Sequence, residues 1–338
     1  MSTAVRSFAK INLGLAIGPK REDDGFHLLR TVYQTIALHD VIRVEASRGM
    51  GIEIRSKNKR VPCDETNTCY RAADRVLKAL GTRSKVAITI EKNLPIEGGL
   101  GAGSANAVAT ILGLERELKQ ALTGEDRLRI AEEVGSDVPL FLIGGTILGI
   151  GRGEQVFPLD DLPVMHCVIV TPGVGVSTKE AFADWDAKHA PPEDPEDRWR
   201  SRYMKPGLTG SSETDRLTKF SRTLSLWLNS KSTGVSSNGG SRAETPLLDL
   251  VRAGIENDFE EVVFPKYPEL RDIKRALYGQ SGQGAKYASL SGSGSTVYGL
   301  FDSEQAANEV AAELRKKDIA AQVTTTLNRN EYWKQVFV

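Results

Sequence analysis

A glycine-rich segment of the chain reads Pro95-Ile96-Glu97-Gly98-Gly99-Leu100-Gly101-Ala102-Gly103-Ser104-Ala105-Asn106-Ala107. Apolar residues alternate with other residues at 86–90 just before it, which predicts a strand. Residues 104–122 are rich in Ala and Leu and predict a helix with Ser104 as its N-cap. Glycines let the backbone approach a ligand closely, and a helix N-terminus attracts anions. The strand–loop–helix order therefore predicts a phosphate-binding loop.

A simpler interpretation of this segment is a glycine-rich turn before an ordinary helix. The strand on one side and the helix on the other favour phosphate binding over that alternative. The segment contains no lysine, so it lacks the G-x-x-x-x-G-K-[ST] pattern of a Walker A loop. The chain has neither a His-Arg-Asp nor an Asp-Phe-Gly triplet, which excludes a protein kinase.

Predicted strands and helices alternate on both sides of this loop. Strands are predicted at 4–17, 32–38, 41–46, 86–90, 164–171, 286–290, 296–301 and 319–326, and helices at 68–80, 104–122, 125–134 and 304–317. This interleaving predicts an α/β or α+β protein. We place a domain boundary before the strand at 164–171, which divides the chain into domains 1–158 and 159–338.

The segment 185–244 differs in composition and reads as a long insertion in the second domain. Leu217, Phe220, Leu224 and Leu228 recur at helical spacing and predict one helix inside it. Residues 230–241 are almost all Ser, Gly, Asn, Lys and Thr, which predicts a flexible loop.

The composition limits the protein's partners and location. The chain has 338 residues with 44 basic and 44 acidic side chains, so general electrostatic capture of nucleic acid or of an anionic membrane is not expected. No apolar run approaches the ~18 residues of a membrane helix, and Met1–Lys10 lacks the apolar core of a secretory signal. Cys63, Cys69 and Cys167 show no C-x-x-C spacing, which predicts free thiols in a cytoplasmic protein rather than a disulfide framework or a zinc site.

Two further segments accompany the glycine-rich one. They are Ser7-Phe8-Ala9-Lys10-Ile11-Asn12-Leu13 and Ser289-Leu290-Ser291-Gly292-Ser293-Gly294-Ser295-Thr296. In chain order the three segments resemble the three motifs of the GHMP kinases, the family of galactokinase, homoserine kinase and mevalonate kinase. The resemblance implies an ATP- and Mg²⁺-dependent kinase for a small molecule, acting as a monomer or weak homodimer. It also implies the α+β, two-domain GHMP kinase fold, with an N-terminal ribosomal-protein-S5-like α/β domain and a C-terminal ferredoxin-like α/β domain.

Other segments indicate which GHMP kinases this chain resembles most. They are Asp24-Gly25-Phe26-His27-Leu28-Leu29, Gly135-Ser136-Asp137-Val138-Pro139-Leu140-Phe141, Gly151-Arg152-Gly153-Glu154 and Asn257-Asp258-Phe259-Glu260. They look like the branch whose acceptor is a cytidyl-linked sugar alcohol of non-mevalonate isoprenoid precursor synthesis. Phe26 stands where this branch usually has Tyr, and Ala105 where it often has Ser. Two alternatives stay open: a GHMP kinase of the homoserine or mevalonate type, and a GHMP-fold binding protein without catalysis.

Lys10 and Asp137 are the residues that the resemblance assigns to catalysis. Lys10 lies among apolar residues on a predicted strand, where an unpaired charge is unfavourable, and Asn12 shares its strand face. Asp137 matches the base that takes the proton of the acceptor hydroxyl. The residues alone leave two alternatives: an edge-strand lysine that reaches water, and an aspartate that caps a helix beginning near Pro139.

The resemblance also implies binding residues for both substrates. The ATP set comprises Lys92, Pro95, Gly98, Gly99, Leu100, Gly101, Ala102, Gly103, Ser104 and Ala105, with the Ser104 hydroxyl as a Mg²⁺ ligand. The acceptor set comprises Asn12, Phe26, His27, Phe182, Gly292, Ser293 and Gly294, with the aromatic side chains around the cytosine. Taken singly, each aromatic residue is also explained by core packing, and the Gly-Ser-Gly sequence by a hairpin turn.

Overall fold

The computed structural model describes residues 2–96, 98–190, 216–222, 224, 256–279 and 284–338. Its strands form two sheets, and helices pack against both of them. The prediction of an α+β protein is confirmed.

The first sheet is organised around one long central strand, β2. Its strands are β1 (Thr3–Lys20), β2 (His27–Ser47), β3 (Gly51–Ser56), β4 (Lys85–Glu91), β5 (Thr146–Gly151) and β6 (Gln155–Pro158). β1 pairs antiparallel with β2, whose other edge pairs with β4 and β5. The predicted strands 32–38 and 41–46 are one continuous strand, because a register shift opposite Phe8 and Ala9 absorbs the irregularity between them.

Three helices cover this sheet: α1 (Thr68–Ala79), α2 (Ala102–Leu118) and α3 (Gly124–Val134). Every residue of α2 from Ala105 to Leu114 is buried, because its Ala and Gly residues let the helix lie close to the strands. A Cβ on Gly113 would stand only 2.7 Å from the Val44 side chain. This close packing fixes the N-terminus of α2, and with it the glycine-rich loop.

The predicted start of α2 is wrong by two residues. The helix begins at Ala102 with Gly101 as its N-cap, and no side chain caps it. Gly101 has φ 68°, a left-handed conformation that glycine adopts readily. Ser104 therefore lies within the first turn of the helix and is not its N-cap.

The second sheet is antiparallel and has the order β10-β7-β9-β8. These strands are β7 (His166–Val170), β8 (Tyr287–Leu290), β9 (Val297–Phe301) and β10 (Ala321–Thr325). The helices of this half are α4 (Thr178–His189), α6 (Glu260–Lys266), α7 (Pro268–Leu277) and α8 (Glu304–Arg315). Their apolar side chains and the fully buried Trp185 form the core of this half.

The two sheets share a third core, which is formed where β1 meets the second sheet. The Tyr298 hydroxyl donates to the backbone oxygen of Asn12 at 2.6 Å, and the Tyr287 hydroxyl donates to that of Leu13 at 2.6 Å. A last helix, α9 (Arg329–Gln335), returns to the first sheet, where the N–H of Arg6 donates to the oxygen of Val336 at 2.7 Å. The division at 158/159 stays a prediction, because the end of the chain packs on the first half.

One helix of the predicted insertion is described. Residues 216–222 and 224, here called α5, are helical, and Leu217, Phe220 and Leu224 are buried against β1 and β2 as the spacing predicts. Leu228 and the predicted flexible loop 230–241 lie outside the described residues. α4 crosses the predicted start of the insertion and ends at His189.

The three cysteines are free thiols, as predicted; Cys69 and Cys167 are buried and Cys63 is exposed. In the described ranges, no helix is long and apolar enough to cross a bilayer.

Candidate active site

The glycine-rich loop joins β4 to α2 and lines a cavity of about 390 Å³. From the predicted ATP set, the cavity is lined by Lys92, Pro95, Gly98, Gly99, Leu100, Gly101, Ala102, Gly103 and Ser104. Ala105 is not among the lining residues, because its side chain points into the core beneath α2. The cavity therefore gathers nine of the ten predicted residues around the N-terminus of a well-anchored helix.

Two glycines of this loop combine a left-handed backbone conformation with close neighbours. Gly99 has φ 75°, and a Cβ there would lie 2.1 Å from the backbone oxygen of Ser291. Gly101 has φ 68°, and a Cβ there would lie 3.0 Å from the Phe141 ring and 3.1 Å from Lys10. The loop is thus pressed against both β1 and the turn between β8 and β9.

Lys92 enters the cavity already paired with an acid. Its ammonium lies 2.6 Å from Oδ2 of Asp40, which is fully buried. The other Asp40 oxygen accepts the backbone N–H groups of Asn93 at 2.7 Å and Leu94 at 2.8 Å. A buried carboxylate needs such compensation, so Asp40 fixes the entrance of the loop. Sequence reasoning missed Asp40, although an acid within an apolar strand signals a buried partner.

A chain of polar side chains crosses the middle of β1 and β2. The Lys10 ammonium donates to Oδ1 of Asn12 at 2.7 Å and lies 3.4 Å from Oδ2 of Asp137. The Asn12 amide donates to Oγ1 of Thr31 at 2.8 Å. Lys10 is almost completely buried, so the alternative of an edge-strand lysine reaching water is wrong.

Asp137 faces this chain from the loop that follows α3. The next helix is a 3₁₀ turn, Pro139–Leu142, whose N-cap position is Val138 and which has no side-chain cap. The capping alternative for Asp137 is therefore wrong. One third of its side chain is exposed, so the carboxylate is both paired with a buried ammonium and open to a ligand. Such a pair can position a hydroxyl and accept its proton.

The turn between β8 and β9 closes the site from the other half of the molecule. It is the hairpin turn that its Gly-Ser-Gly sequence allows, and it also faces the polar chain. A Cβ on Gly292 would lie 3.7 Å from the Lys10 ammonium. The Ser291 hydroxyl donates to the backbone oxygen of Gly99 at 2.9 Å. The side-chain amide of Asn257 donates to the backbone oxygens of Leu290 and Gly292, each at 2.8 Å.

The predicted aromatic clamp is only partly assembled. His27 is buried and lies parallel to Phe182, with ring centroids 5.2 Å apart and an interplanar angle of 7°. Phe26 is 54% exposed. The guanidinium of Arg152 lies over its ring, with Cζ 5.3 Å from the ring centroid. Among the described residues, Phe26 makes no ring contact with the other two. Of the remaining acceptor residues, Ser293 shares a hydrogen bond of 2.8 Å with Thr178, and Gly294 lies within the turn.

Comparisons with known proteins place these features in one family. The family descriptions "GHMP kinases N terminal domain" and "GHMP kinases C terminal" match residues 67–145 and 244–320. The chain is 35% identical to the 4-diphosphocytidyl-2-C-methyl-D-erythritol kinase of Solibacter usitatus, over 88% of this chain and 80% of that one. It is 34% identical to the enzyme of that name from Moorella thermoacetica, over 95% and 98%.

The chain belongs to the 4-diphosphocytidyl-2-C-methyl-D-erythritol kinase family of the GHMP kinases. A crystal structure of a 4-(cytidine 5'-diphospho)-2C-methyl-D-erythritol kinase superposes with a TM-score of 0.67 at 27% identity, covering 96% of this chain and 98% of that one. A homoserine kinase from Cytophaga hutchinsonii also gives a TM-score of 0.67, but at 20% identity, which shows the shared fold alone. The predicted family and the two-domain GHMP kinase fold are confirmed.

Members of this kinase family need an acceptor pocket. Sequence analysis did not predict one acid that lies beside His27 in this region, Asp186. Oδ1 of Asp186 lies 2.9 Å from Nε2 of His27, and Oδ2 lies 2.5 Å from the Lys20 ammonium. The carboxylate is outside hydrogen-bond geometry, so the buried Nε2 makes no hydrogen bond to any described residue. Asp186 lies four residues after Phe182 on α4, and this i,i+4 spacing was its only sequence signal.

One proton of the His27 ring is located by a hydrogen bond to the backbone. Nδ1 lies 2.7 Å from the backbone oxygen of Gly18, an atom that only accepts, so Nδ1 carries a proton. The other ring nitrogen, Nε2, faces the Asp186 carboxylate at 2.9 Å.

The described residues contain no cluster of side chains that would bind a metal ion on its own. No group of three or more His, Cys, Asp or Glu side chains within the described residues could hold an ion. Mg²⁺ needs few protein ligands when phosphates supply the rest. The Ser104 hydroxyl, in the first turn of α2 at the cavity wall, fits that limited role.

Proposed function

We propose that this kinase transfers the γ-phosphoryl group of ATP to the 2-hydroxyl of 4-diphosphocytidyl-2-C-methyl-D-erythritol, a step of non-mevalonate isoprenoid precursor synthesis. The observation that carries the proposal is the ion pair between buried Lys10 and partly exposed Asp137, which stands directly beside the glycine-rich loop. The backbone N–H of Lys10 donates to the oxygen of Leu100 at 3.0 Å, so strand and loop are joined at this point. Phosphates in the loop would therefore lie next to an acid and a cation.

In this proposal the loop and α2 hold the phosphates of ATP. The N–H groups at the start of α2 and the helix dipole favour negative charge there. Mg²⁺, when bound, neutralises phosphate charge, with Ser104 as its protein ligand and phosphates as the others. Lys10 adds a positive charge where negative charge accumulates during transfer.

Asp137 is the proton acceptor of the proposed reaction. The acceptor oxygen forms a bond to the γ-phosphorus while its proton passes to the Asp137 carboxylate. The bond between the γ-phosphorus and the β,γ-bridging oxygen breaks, and ADP leaves with that electron pair. Because phosphoryl transfer needs alignment more than covalent chemistry, the contact between Asp137 and Lys10 mainly fixes where the hydroxyl sits.

The residues around His27 support a cytidyl acceptor. The Asp186 carboxylate beside His27 is a hydrogen-bond acceptor and is about one third exposed. The 4-amino group of cytosine is a donor, whereas the 4-oxygen of uracil is an acceptor, so the carboxylate would favour cytosine. Phe182 and Phe26 offer ring faces beside this edge, each of the kind on which bases stack.

A coupled ADP-release assay tests this function with a panel of acceptors. We expect turnover with the cytidyl-linked methylerythritol and at least ~100-fold lower kcat/KM with homoserine, mevalonate or the uridyl analogue. Turnover of homoserine or mevalonate at comparable efficiency would contradict the proposed acceptor. Absence of turnover with every acceptor, in a folded protein that binds ATP, would favour a non-catalytic binding protein.

A further inference from the structure

Tyr33 stands beside Asp137 but belongs to none of the sequence motifs. It lies on β2, opposite Asn12 on β1 and Ile147 on β5, and is 2% exposed. Its hydroxyl lies 3.1 Å from Oδ1 of Asp137. Its ring centroid is 5.5 Å from the Lys10 ammonium. The tyrosine therefore touches both members of the proposed catalytic pair.

The protein leaves a slot for this phenol by placing glycines opposite it. A Cβ on Gly149 would stand 2.5 Å from the Tyr33 ring. A Cβ on Gly153 would stand 2.5 Å from the Tyr33 hydroxyl and 3.8 Å from Oδ1 of Asp137. Any larger residue at either position would displace the hydroxyl from the carboxylate.

The hydroxyl can only act as a donor toward Asp137. Burial, followed by the nearby charge of Asp137, raises the pKa of Tyr33 well above its usual value of 10. The phenol therefore keeps its proton over the range in which enzymes work. A carboxylate oxygen is an acceptor, so the direction of this hydrogen bond is settled.

We propose that Tyr33 is a positioning residue that fixes the Asp137 carboxylate for proton transfer. Lys10 draws Oδ2 of Asp137 toward β1, and Tyr33 holds Oδ1 from β2. With both oxygens anchored from different strands, the carboxylate has one orientation, and its remaining lone pairs face the open side of the site. This inference rests on the proposed role of Asp137 and adds a residue that the motifs do not contain.

The test replaces Tyr33→Phe, which keeps the ring and removes only the donor. We expect kcat to fall roughly 10- to 100-fold, because a hydrogen bond to a charged group is lost. The KM values for ATP and acceptor should stay within about twofold, since the Tyr33 hydroxyl contacts Asp137 and Tyr33 does not line the nucleotide cavity. The acid limb of the kcat–pH profile should move to higher pH, because a hydrogen bond that favours the ionised carboxylate is removed.

Tyr332→Phe is the matched control. Tyr332 is also 2% exposed, and its hydroxyl donates to the backbone oxygen of Phe141 at 2.7 Å. It has no contact with the Lys10–Asp137 pair among the described contacts. This variant should lose stability comparable to Tyr33→Phe but leave the acid limb unchanged. An equal shift of the acid limb in both variants would overturn the proposal.

A double-mutant cycle separates this inference from the proposed function. In an Asp137→Asn background, Tyr33→Phe should reduce kcat by less than about twofold, because the carboxylate it positions is gone. Additive losses would overturn the positioning role while leaving Asp137 catalytic. Full activity of Asp137→Asn alone would instead contradict the proposed function.

A second variant tests the proposal in case Tyr33→Phe folds poorly. Incorporation of 3-fluorotyrosine at position 33 keeps the shape and strengthens the donor, so the acid limb should move to lower pH. A shift to higher pH, or none, in the folded variant would overturn the proposal.

Discussion

The nucleotide side and the acceptor side of the proposed site are built from different groups. The nucleotide side is mostly backbone: Gly99 and Gly101 have positive φ and close neighbours, and Asp40 fixes the entrance of the loop through backbone N–H groups. The acceptor side depends mostly on side chains, with His27 on β2 and Phe182 and Asp186 on α4, and Phe26 at its rim is 54% exposed. The nucleotide side therefore tolerates few substitutions, whereas single side chains determine specificity on the acceptor side.

The largest effect is expected when one methyl group is added to the nucleotide side. Gly99→Ala would place a Cβ 2.1 Å from the oxygen of Ser291 at a φ of 75°. The loop must then move away from the β8–β9 turn, so we expect affinity for a non-hydrolysable ATP analogue to fall at least ~100-fold. Isothermal titration of the folded variant measures this.

Gly124→Ala controls for the loss of a glycine. Gly124 has ordinary surroundings, and nothing lies within 4 Å of an added Cβ. This variant should bind the analogue like the original protein. Normal affinity of Gly99→Ala would mean that the loop is only a turn.

A smaller effect is expected on the acceptor side, where one charge is removed. Asp186→Asn replaces the acceptor next to Nε2 of His27 by a group that can also donate. The preference for cytidyl over uridyl acceptor, measured as the ratio of kcat/KM values, should fall about tenfold, with the KM for ATP unchanged.

Asp184→Asn is the matched control for this change. Asp184 lies on the same helix but pairs with Lys266 at 3.0 Å, away from His27. Its substitution should leave the cytidyl preference intact. Equal cytidyl-to-uridyl ratios of kcat/KM in the two variants would mean that Asp186 does not contribute to recognition of the base.

The smallest expected effect is on the pH dependence of the protein's stability, through Asp258 behind the acceptor side. Burial raises the pKa of Asp258 to about 6, although Arg216 of α5 and the N–H of Ile17 partly offset it. A carboxyl group whose pKa is raised by folding stabilises the protein most at low pH. That stability is lost as the pH rises through about 6.

The Asp258→Asn variant should show a smaller loss of Tm than the original protein between about pH 4 and pH 6. Thermal unfolding at several pH values measures the difference. Identical slopes in the two proteins would contradict the assigned ionisation.

The same division explains which features could be predicted from the sequence. The strand–loop–helix unit follows from local patterns, because alternation, glycine spacing and a helix N-terminus act over neighbouring residues. The misplaced N-cap at Ser104 arose because a hydroxyl is a common cap, whereas the left-handed conformation of Gly101 decides where α2 begins.

Residues that meet across strands could not be found this way. Tyr33 lies on a strand between Val32 and Gln34 and resembles a core residue; only the approach of Asp137 from the loop after α3 gives its hydroxyl a partner. Asp186 resembles an ordinary charge on a solvent-facing helix until α4 packs beside His27. Lys10 was predictable as unusual, but its partner lies 127 positions away, far beyond local pattern.

The kinetics of Asp137→Asn with the cytidyl acceptor test the role of the Lys10–Asp137 pair most directly. The substitution keeps the size of the side chain and removes its charge and basicity. We expect kcat to fall roughly 100-fold or more, the scale of a positioned acid–base group, with ATP affinity close to that of the original protein. Turnover at the original rate would contradict the central claim that the Lys10–Asp137 pair carries the phosphoryl transfer.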